Sequence, residues 1–197
     1  LNQMRLISQN HVYVGDYSLE NFHKSDPIIF DKFSKKNIAD ISSGLKISVD
    51  LDQYNKISAY VAKKNAPILH FNKIQSHKIA EFWDPIVTKQ GSLIIKPGKF
   101  YILKSKQKIR IPKKMAGEMT PYDTGIGDFR VHYAGFFDPG FGDPEGSFAV
   151  LEVKTNEVPF LIEDGQTIAR IKYEKLNKES SVVYGKEIKS NYQNQRL

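Results

Sequence analysis

Between Arg130 and Lys154 the chain reads RVHYAGFFDPGFGDPEGSFAVLEVK, and few folds accommodate that pattern. It predicts two β-strands joined by a turn-rich connection. The first carries His132 and ends in Ala134-Gly135-Phe136-Phe137. Asp138-Pro139-Gly140 then turns the chain: proline presets φ at about −65°, glycine accepts positive φ, and aspartate can bond its own backbone. Gly142-Asp143-Pro144-Glu145-Gly146-Ser147 lengthens the connection, and the second strand, Phe148-Ala149-Val150-Leu151-Glu152-Val153, is apolar but for one carboxylate. Alternate strand residues share a face, so Glu152 lies beside Phe148 and Val150, while Ala149, Leu151 and Val153 face the other way. Such a glutamate is either the wet end of an antiparallel strand or a carboxylate held against an apolar wall. In the second case desolvation raises its pKa and suits it to acid–base work.

The rest of the chain is punctuated in the same way. Leu1 to Leu6 reads as a short strand or an arm. A short helix is predicted over Ser18–Lys24, capped by Asp16 or Ser18 and stopped by Pro27. Ile28–Phe33 is a brief apolar segment before the polar linker Ser34–Asn37. Leu45–Leu51 alternates with period two, as a half-buried strand does. Ile57–Ala62 and Ala66–Phe71 are further strand candidates, and Lys78–Trp83 reads as one helical turn ended by Asp84-Pro85. Strands follow at Ser92–Ile95, Phe100–Leu103 and Lys108–Pro112, with a turn at Lys96-Pro97-Gly98. Gly117-Glu118-Met119 leads into a flexible Thr124-Gly125-Ile126-Gly127. Glu157–Ile162, a turn at Glu163-Asp164-Gly165 and a strand over Gln166–Tyr173 complete the series. Many short strands with Gly/Pro turns predict an all-β barrel or sandwich, and no internal repeat is present.

Several function classes are disfavoured. The net charge is +7, but no basic stripe interleaves with aromatics, and there is no zinc knuckle or helix-turn-helix pattern, so the lysines predict a solvated surface rather than a nucleic-acid interface. The absence of cysteine removes a disulfide scaffold and fits a reducing, cytoplasmic setting. No apolar run is long enough to span a membrane. His11, His23, His70, His77 and His132 show no ligand spacing, so no metal-binding residues are assigned. The chain begins with Leu1, which predicts a processed chain or a piece of a longer one.

The order His132-x-Ala134-Gly135-Phe136-x-Asp138-Pro139-Gly140-Phe141, followed by Val150-Leu151-Glu152, resembles the signature of the dCTP deaminases, relatives of the trimeric dUTPases. The wider stretch GEMTPYD…GDFRVHYAGFFDPGFG…AVLEV…EVPFLIEDGQTIARIKYE is similar to the C-terminal half of the long bacterial form, which carries two deaminase-like halves in one polypeptide. The resemblance is strongest from Phe100 to Gln195. It implies a mainly β, dUTPase-like β-clip barrel over residues 42–179, with a short helical N-terminal arm over 1–41 and a C-terminal tail, 180–197, that lies over the nucleotide as a lid. The implied activity is hydrolytic deamination of dCTP to dUTP and ammonia without zinc, within pyrimidine deoxynucleotide supply. A trimer-type homo-oligomer and inhibition by dTTP are also implied.

Residue by residue, the resemblance makes Glu152 the general base. Backbone groups around Ala134, Val150 and Leu151 would hold the water and the base edge, and Asp138 would approach the sugar. Arg130 would bind phosphate through its planar fork, although it could equally pair with Asp128 or Glu118. His132 falls in the nucleotide-binding set, but alone it reads as a satisfied barrel histidine. Phe136, Phe137, Phe141 and Phe148 read as core. In the tail, Tyr184 and Gln195 match two of three ligand-contacting positions, and Asn191 stands where the family has lysine. Mg2+ is expected to ride on the triphosphate, and the positive field helps to attract it. One departure matters. Single-domain relatives carry Ser-Ser-x-x-Arg where this chain has Thr120-Pro121-Tyr122-Asp123-Thr124-Gly125, which implies a composite site completed by an N-terminal half. Two other functions stay open: a dUTPase-type diphosphatase using Asp138 to orient water at the α-phosphate, and a non-catalytic nucleotide-binding half.

Overall fold

The computed structural model describes residues 13–30, 38–52, 56–73, 76–121, 130–132, 135–182 and 184–185, with the main chain only at 121 and 130–132. The expectations for Leu1–Leu6, His11, Ala134, Asn191 and Gln195 lie outside the described residues. In chain order the elements are α1 (Asp16–Ser25), β1 (Ile29–Phe30), β2 (Leu45–Ser48), β3 (Ala59–Ala62), α2 (Ile79–Phe82), β4 (Trp83–Ile86) and β5 (Ser92–Ile95). There follow β6 (Phe100–Ile109), β7 (Met115–Pro121), β8 (Arg130–His132), β9 (Phe136–Phe137), β10 (Ser147–Lys154), β11 (Phe160–Glu163) and β12 (Thr167–Lys175).

The chain is mainly β, as its punctuation predicts, and every pairing is antiparallel. The largest sheet runs β4-β3-β6-β10-β8, with β1 paired to the far end of β6; a second runs β2-β12-β7-β9, and β5 pairs with β11 alone. Among the described residues these sheets do not close into one ring of strands. Their inner faces share a core that includes Leu45, Ile47, Leu103, Ile109, Leu151, Val153, Ile162 and Ile171, all fully buried. Leu19 of α1 and Ile28 and Ile29 belong to the same core.

Several local expectations are corrected. Ala66–Phe71 is not a strand. It belongs to an excursion between β3 and β4, where Ile68 and Phe71 are 79% and 89% exposed and, among the described residues, no strand pairs with it. The helical turn expected over Lys78–Trp83 is shorter, Ile79–Phe82, and β4 runs through Asp84-Pro85. Proline is tolerated there since β4 is an edge strand and needs partners on one side only. Phe100–Leu103 and Lys108–Pro112 are not separate, since residues 100–109 form one strand. Its register against β10 shifts between Phe148 and Val150, where the Ser105 hydroxyl accepts the Ala149 amide at 2.8 Å. Gly117-Glu118-Met119 lies inside β7. Glycine is depleted in strands, but here a Cβ would come within 2.7 Å of Ile111 Cδ1, so close packing requires it.

Neither expected cap holds α1. Gly15 is the N-cap, and the Asp16 carboxylate instead accepts the amides of Ser43 and Gly44 at 2.6 and 2.9 Å. Nor is the strand at Leu45 half-buried along its length, for every residue from Ile47 to Leu51 is buried. The cause is Asp164, in the β11–β12 turn. Its carboxylate accepts the Leu51 and Asp52 amides at 2.9 and 3.1 Å and pairs with Lys106, pinning residues 49–52 beneath the turn. Burial alone would raise its pKa; the hydrogen bonds and charge of Lys106 together with the two amides outweigh this and hold it below the ordinary 3.8. A depressed carboxyl pKa contributes stability that is complete above the unfolded value and is lost as pH falls through the folded one. Asp164→Ala is therefore expected to cost about 1–3 kcal/mol at neutral pH. Urea midpoints should show the difference from wild type shrinking as pH drops below 3.8.

Candidate functional site

β10 sorts its residues as its sequence predicts. Ser147, Ala149, Leu151 and Val153 are buried, while Phe148, Val150, Glu152 and Lys154 are half-buried on the other face. In register, Glu152 lies between Ile102 of β6 and His132 of β8, and Ile102 in turn faces Tyr60 of β3. One step along, Lys154 is opposite Phe100 and Arg130, and the Phe100 ring lies 6.1 Å from that of Trp83. The Glu152 carboxylate thus stands in a strip dominated by apolar and aromatic side chains. Among the described residues it has no hydrogen-bond or ion-pair partner, and desolvation raises its pKa above the ordinary 4.5.

The Asp138 turn is built from main chain. The Phe141 amide donates to the Asp138 carbonyl at 3.1 Å, and Gly140 takes φ +93°. The expected bond from the Asp138 carboxylate to its own backbone is not made, because the carbonyl closes the turn instead. That carboxylate has no partner among the described residues, and desolvation raises its pKa too. Two backbone bonds of 2.9 Å, from Gly140 to Ile111 and from Ile111 to Phe141, fasten the loop to the end of β6. Arg110 adds ion pairs to Asp143 at 3.8 Å and to Asp26.

Tyr184 meets this turn. Its amide donates to the Pro139 carbonyl at 3.1 Å, and its ring lies 6.0 Å from that of Phe141, whose ring is 4.9 Å from that of Phe137 at a tilt of 60°. Asp138 and Tyr184 are therefore brought together, while Val150 shares the Glu152 face. Leu151 is fully buried, main chain included, in this structure. Arg130 and His132 are placed by their main chain alone. Phe137 and Phe141 are core, whereas Phe136 and Phe148 are only half-buried. The segment expected as one strand from Arg130 to Phe137 is divided. β8 pairs with β10, and β9 pairs with β7 in the other sheet.

Two ionic features escaped the sequence pattern. Lys104 occupies a strand position opposite Val150 and pairs at 3.0 Å with Asp50, the side chains being 11% and 7% exposed. Its ammonium lies 4.6 Å from the centre of the Phe148 ring. The signal available was a lysine closing the run Phe100–Leu103; its partner lies too far away in sequence for spacing to reveal. Arg110 was hidden in the same way, reading as the exposed member of an alternating strand. Among the described residues no three histidines or carboxylates converge as a metal site, and no helix is long and apolar enough to cross a membrane. An open cavity of about 430 Å³ lies in the excursion, lined by Leu69, Ile79, Phe82 and Trp83 among others.

Comparison with a solved structure places this fold in the dUTPase-like class. The crystal structure of 2'-deoxycytidine 5'-triphosphate deaminase from Agrobacterium tumefaciens aligns with a TM-score of 0.79 and 34% identity, covering 90% of this chain and 52% of that one. The chain thus spans about half the length of that relative. Residues 15–197 match the family described as 2'-deoxycytidine 5'-triphosphate deaminase (DCD), C-terminal domain, and the chain belongs to that family. No curated protein sequence matches it.

A carboxyl whose pKa rises on folding opposes stability once it ionises. Glu152→Gln is therefore expected to match or exceed wild-type stability at pH 7, by no more than about 1 kcal/mol. The advantage should vanish at pH values below 4.5, where the wild-type residue is protonated in both states; thermal melts across this range measure it.

Proposed function

We propose that this chain is the glutamate-bearing half of a dCTP deaminase, converting dCTP and water to dUTP and ammonia. The observation that carries the proposal is Glu152, a carboxylate without a partner among the described residues, raised by desolvation and set in an apolar strip. Glu152 takes a proton from water as the oxygen bonds to C4 and the C4=N3 electron pair moves to N3, and it passes that proton to N3. Glu152 then takes the proton of the new C4 hydroxyl and delivers it to N4; C4=O forms as the C4–N4 bond breaks with its electrons on nitrogen, and ammonia leaves. A base poised nearer neutrality performs both transfers better than an ordinary glutamate.

Backbone groups at Ala134, Val150 and Leu151 hold the water and base edge, and His132 lies beside Glu152 in register. Asp138 approaches the sugar, Arg130 the phosphates, and Tyr184 with Gln195 closes the tail over the nucleotide and excludes water. Mg2+ would take its ligands from phosphate oxygens and water, a fit to a described chain with no convergent carboxylates. The enzyme works without zinc, as a trimer-type homo-oligomer in the cytoplasm, supplying dUTP for thymidine nucleotide synthesis, with dTTP as inhibitor. Its Ser-Ser-x-x-Arg function comes from a second half. A dUTPase-type diphosphatase is the runner-up, supported by the Asp138 carboxylate, which has no partner among the described residues and sits at an exposed turn position; release of pyrophosphate in place of ammonia would select it.

Glu152→Gln keeps shape and loses the proton acceptor, so ammonia release by the assembled enzyme should fall by about 10²–10⁴ with dCTP affinity little changed. Wild-type turnover in that variant would remove Glu152 from the chemistry. The isolated chain should be weak or silent with dCTP and magnesium, and a polypeptide carrying the Ser-Ser-x-x-Arg half should restore turnover. Full activity from the isolated chain would refute a composite site.

A further inference from the structure

Lys104 stands two residues from Ile102, which is directly opposite Glu152. Residues two apart share a strand face, and such diagonal neighbours lie about 7–8 Å apart across an antiparallel pair. A lysine stem is long enough to span that gap, so Lys104 is placed to neutralise Glu152. Its ammonium instead goes the other way, to Asp50 at 3.0 Å and over Phe148 at 4.6 Å; Phe148 lies beyond Val150 from Glu152. Asp50 is itself fixed. Its amide donates to the Lys104 carbonyl at 2.9 Å, and the Asp164 carboxylate holds the amides of the next two residues.

We propose that Asp50 is a positioning residue which, by pairing with Lys104, holds that ammonium over Phe148 and away from the Glu152 carboxylate. The other charged or titratable groups around this face are Lys108 on β6, Lys154 on β10, Tyr60 on β3 and, by register, His132 and Arg130 on β8. Lys108 sits 5.7 Å from the Phe148 ring, at the far end from Glu152. With Lys104 held off, burial governs Glu152, in keeping with desolvation as the cause of its upward shift. Removing the Asp50 charge frees Lys104 to turn toward Glu152, and an opposite charge within about 4–6 Å lowers a carboxyl pKa by about 1–3 units. The geometry stands without catalysis; only its kinetic consequence rests on Glu152 serving as the base.

The test is an NMR titration of the Glu152 carboxyl carbon in the 197-residue chain, its signal identified by loss in Glu152→Gln. Asp50→Asn is expected to lower the Glu152 pKa by about one unit or more, and adding Lys104→Met should return it to the wild-type value. An unchanged titration in folded Asp50→Asn overturns the proposal. The double variant, which leaves no buried lone charge, decides the matter even if Asp50→Asn does not fold. A pKa about one unit above wild type in the double variant would show that Lys104 already acts on Glu152, and would equally overturn the proposal. In the assembled enzyme, the acid limb of the kcat/KM profile should follow the same shifts. If the titration moves and that limb does not, the positioning stands and Glu152 is not the base.

Discussion

The pairing of β10 on β6 sets the direction of every side chain at the centre of this molecule. Strand faces alternate, so a slip of one residue would turn Leu151 and Val153 outward and drive Glu152 into the core. The register is held by the apolar face itself, by the Ser105 hydroxyl accepting the Ala149 amide, and by β8 pairing along the opposite edge of β10. The shift between Phe148 and Val150 is accommodated on β6, where Ser105, Lys106 and Gln107 fall. Those residues take over backbone and side-chain bonds to Ser48 and Val49 and an ion pair to Asp164. An irregularity in one ladder is thus what lets a second segment lie against the sheet.

Electrostatically the interior is divided. Lys104 with Asp50, Lys106 with Asp164, and Arg110 with Asp26 and Asp143 are ion pairs that tie elements distant in sequence. Lys104 and Asp50 are both buried, so removing either leaves an uncompensated buried charge; the other pairs are partly exposed and are weaker fasteners. Glu152 and Asp138 behave differently, with no described partner and pKa values raised by burial. Groups arranged to stabilise a fold are expected to be paired, and groups kept available for chemistry are not.

What the sequence made legible follows from the range of the forces involved. Period-two alternation is local, and it located the Glu152 face correctly from Phe148, Val150 and Glu152 alone. Turn chemistry is local too, and Asp138-Pro139-Gly140 turns where its residues say it should. Features set by distant partners were not legible. Gly117 gives no sign in the sequence of the close approach of Ile111 that requires it. Residues 47–51 read as half-buried until Asp164 covers them. The Ala66–Phe71 run has strand composition, but no neighbouring strand accepts it. Lys104 and Asp50 come from different strands, and no spacing rule joins them. The family resemblance supplied the roles of individual residues, which geometry alone does not assign.

The division of residues 130–137 between two sheets has a consequence for how this protein tolerates change. β8 is locked beside Glu152, and β9 is locked to β7 just before the Asp138 turn. Residues 130–132 and 136–137 are thus the fixed ends of a connection between two sheets. Lengthening or shortening it would misalign either the glutamate or the turn, since each end is clamped by its own ladder. The loop after Gly140 is held as well, by the Ile111 amide on the Phe141 carbonyl and by the Arg110–Asp143 ion pair. Length changes should therefore be poorly tolerated in both segments, so that the places where homologues do vary in length map the segments that carry no mechanical load.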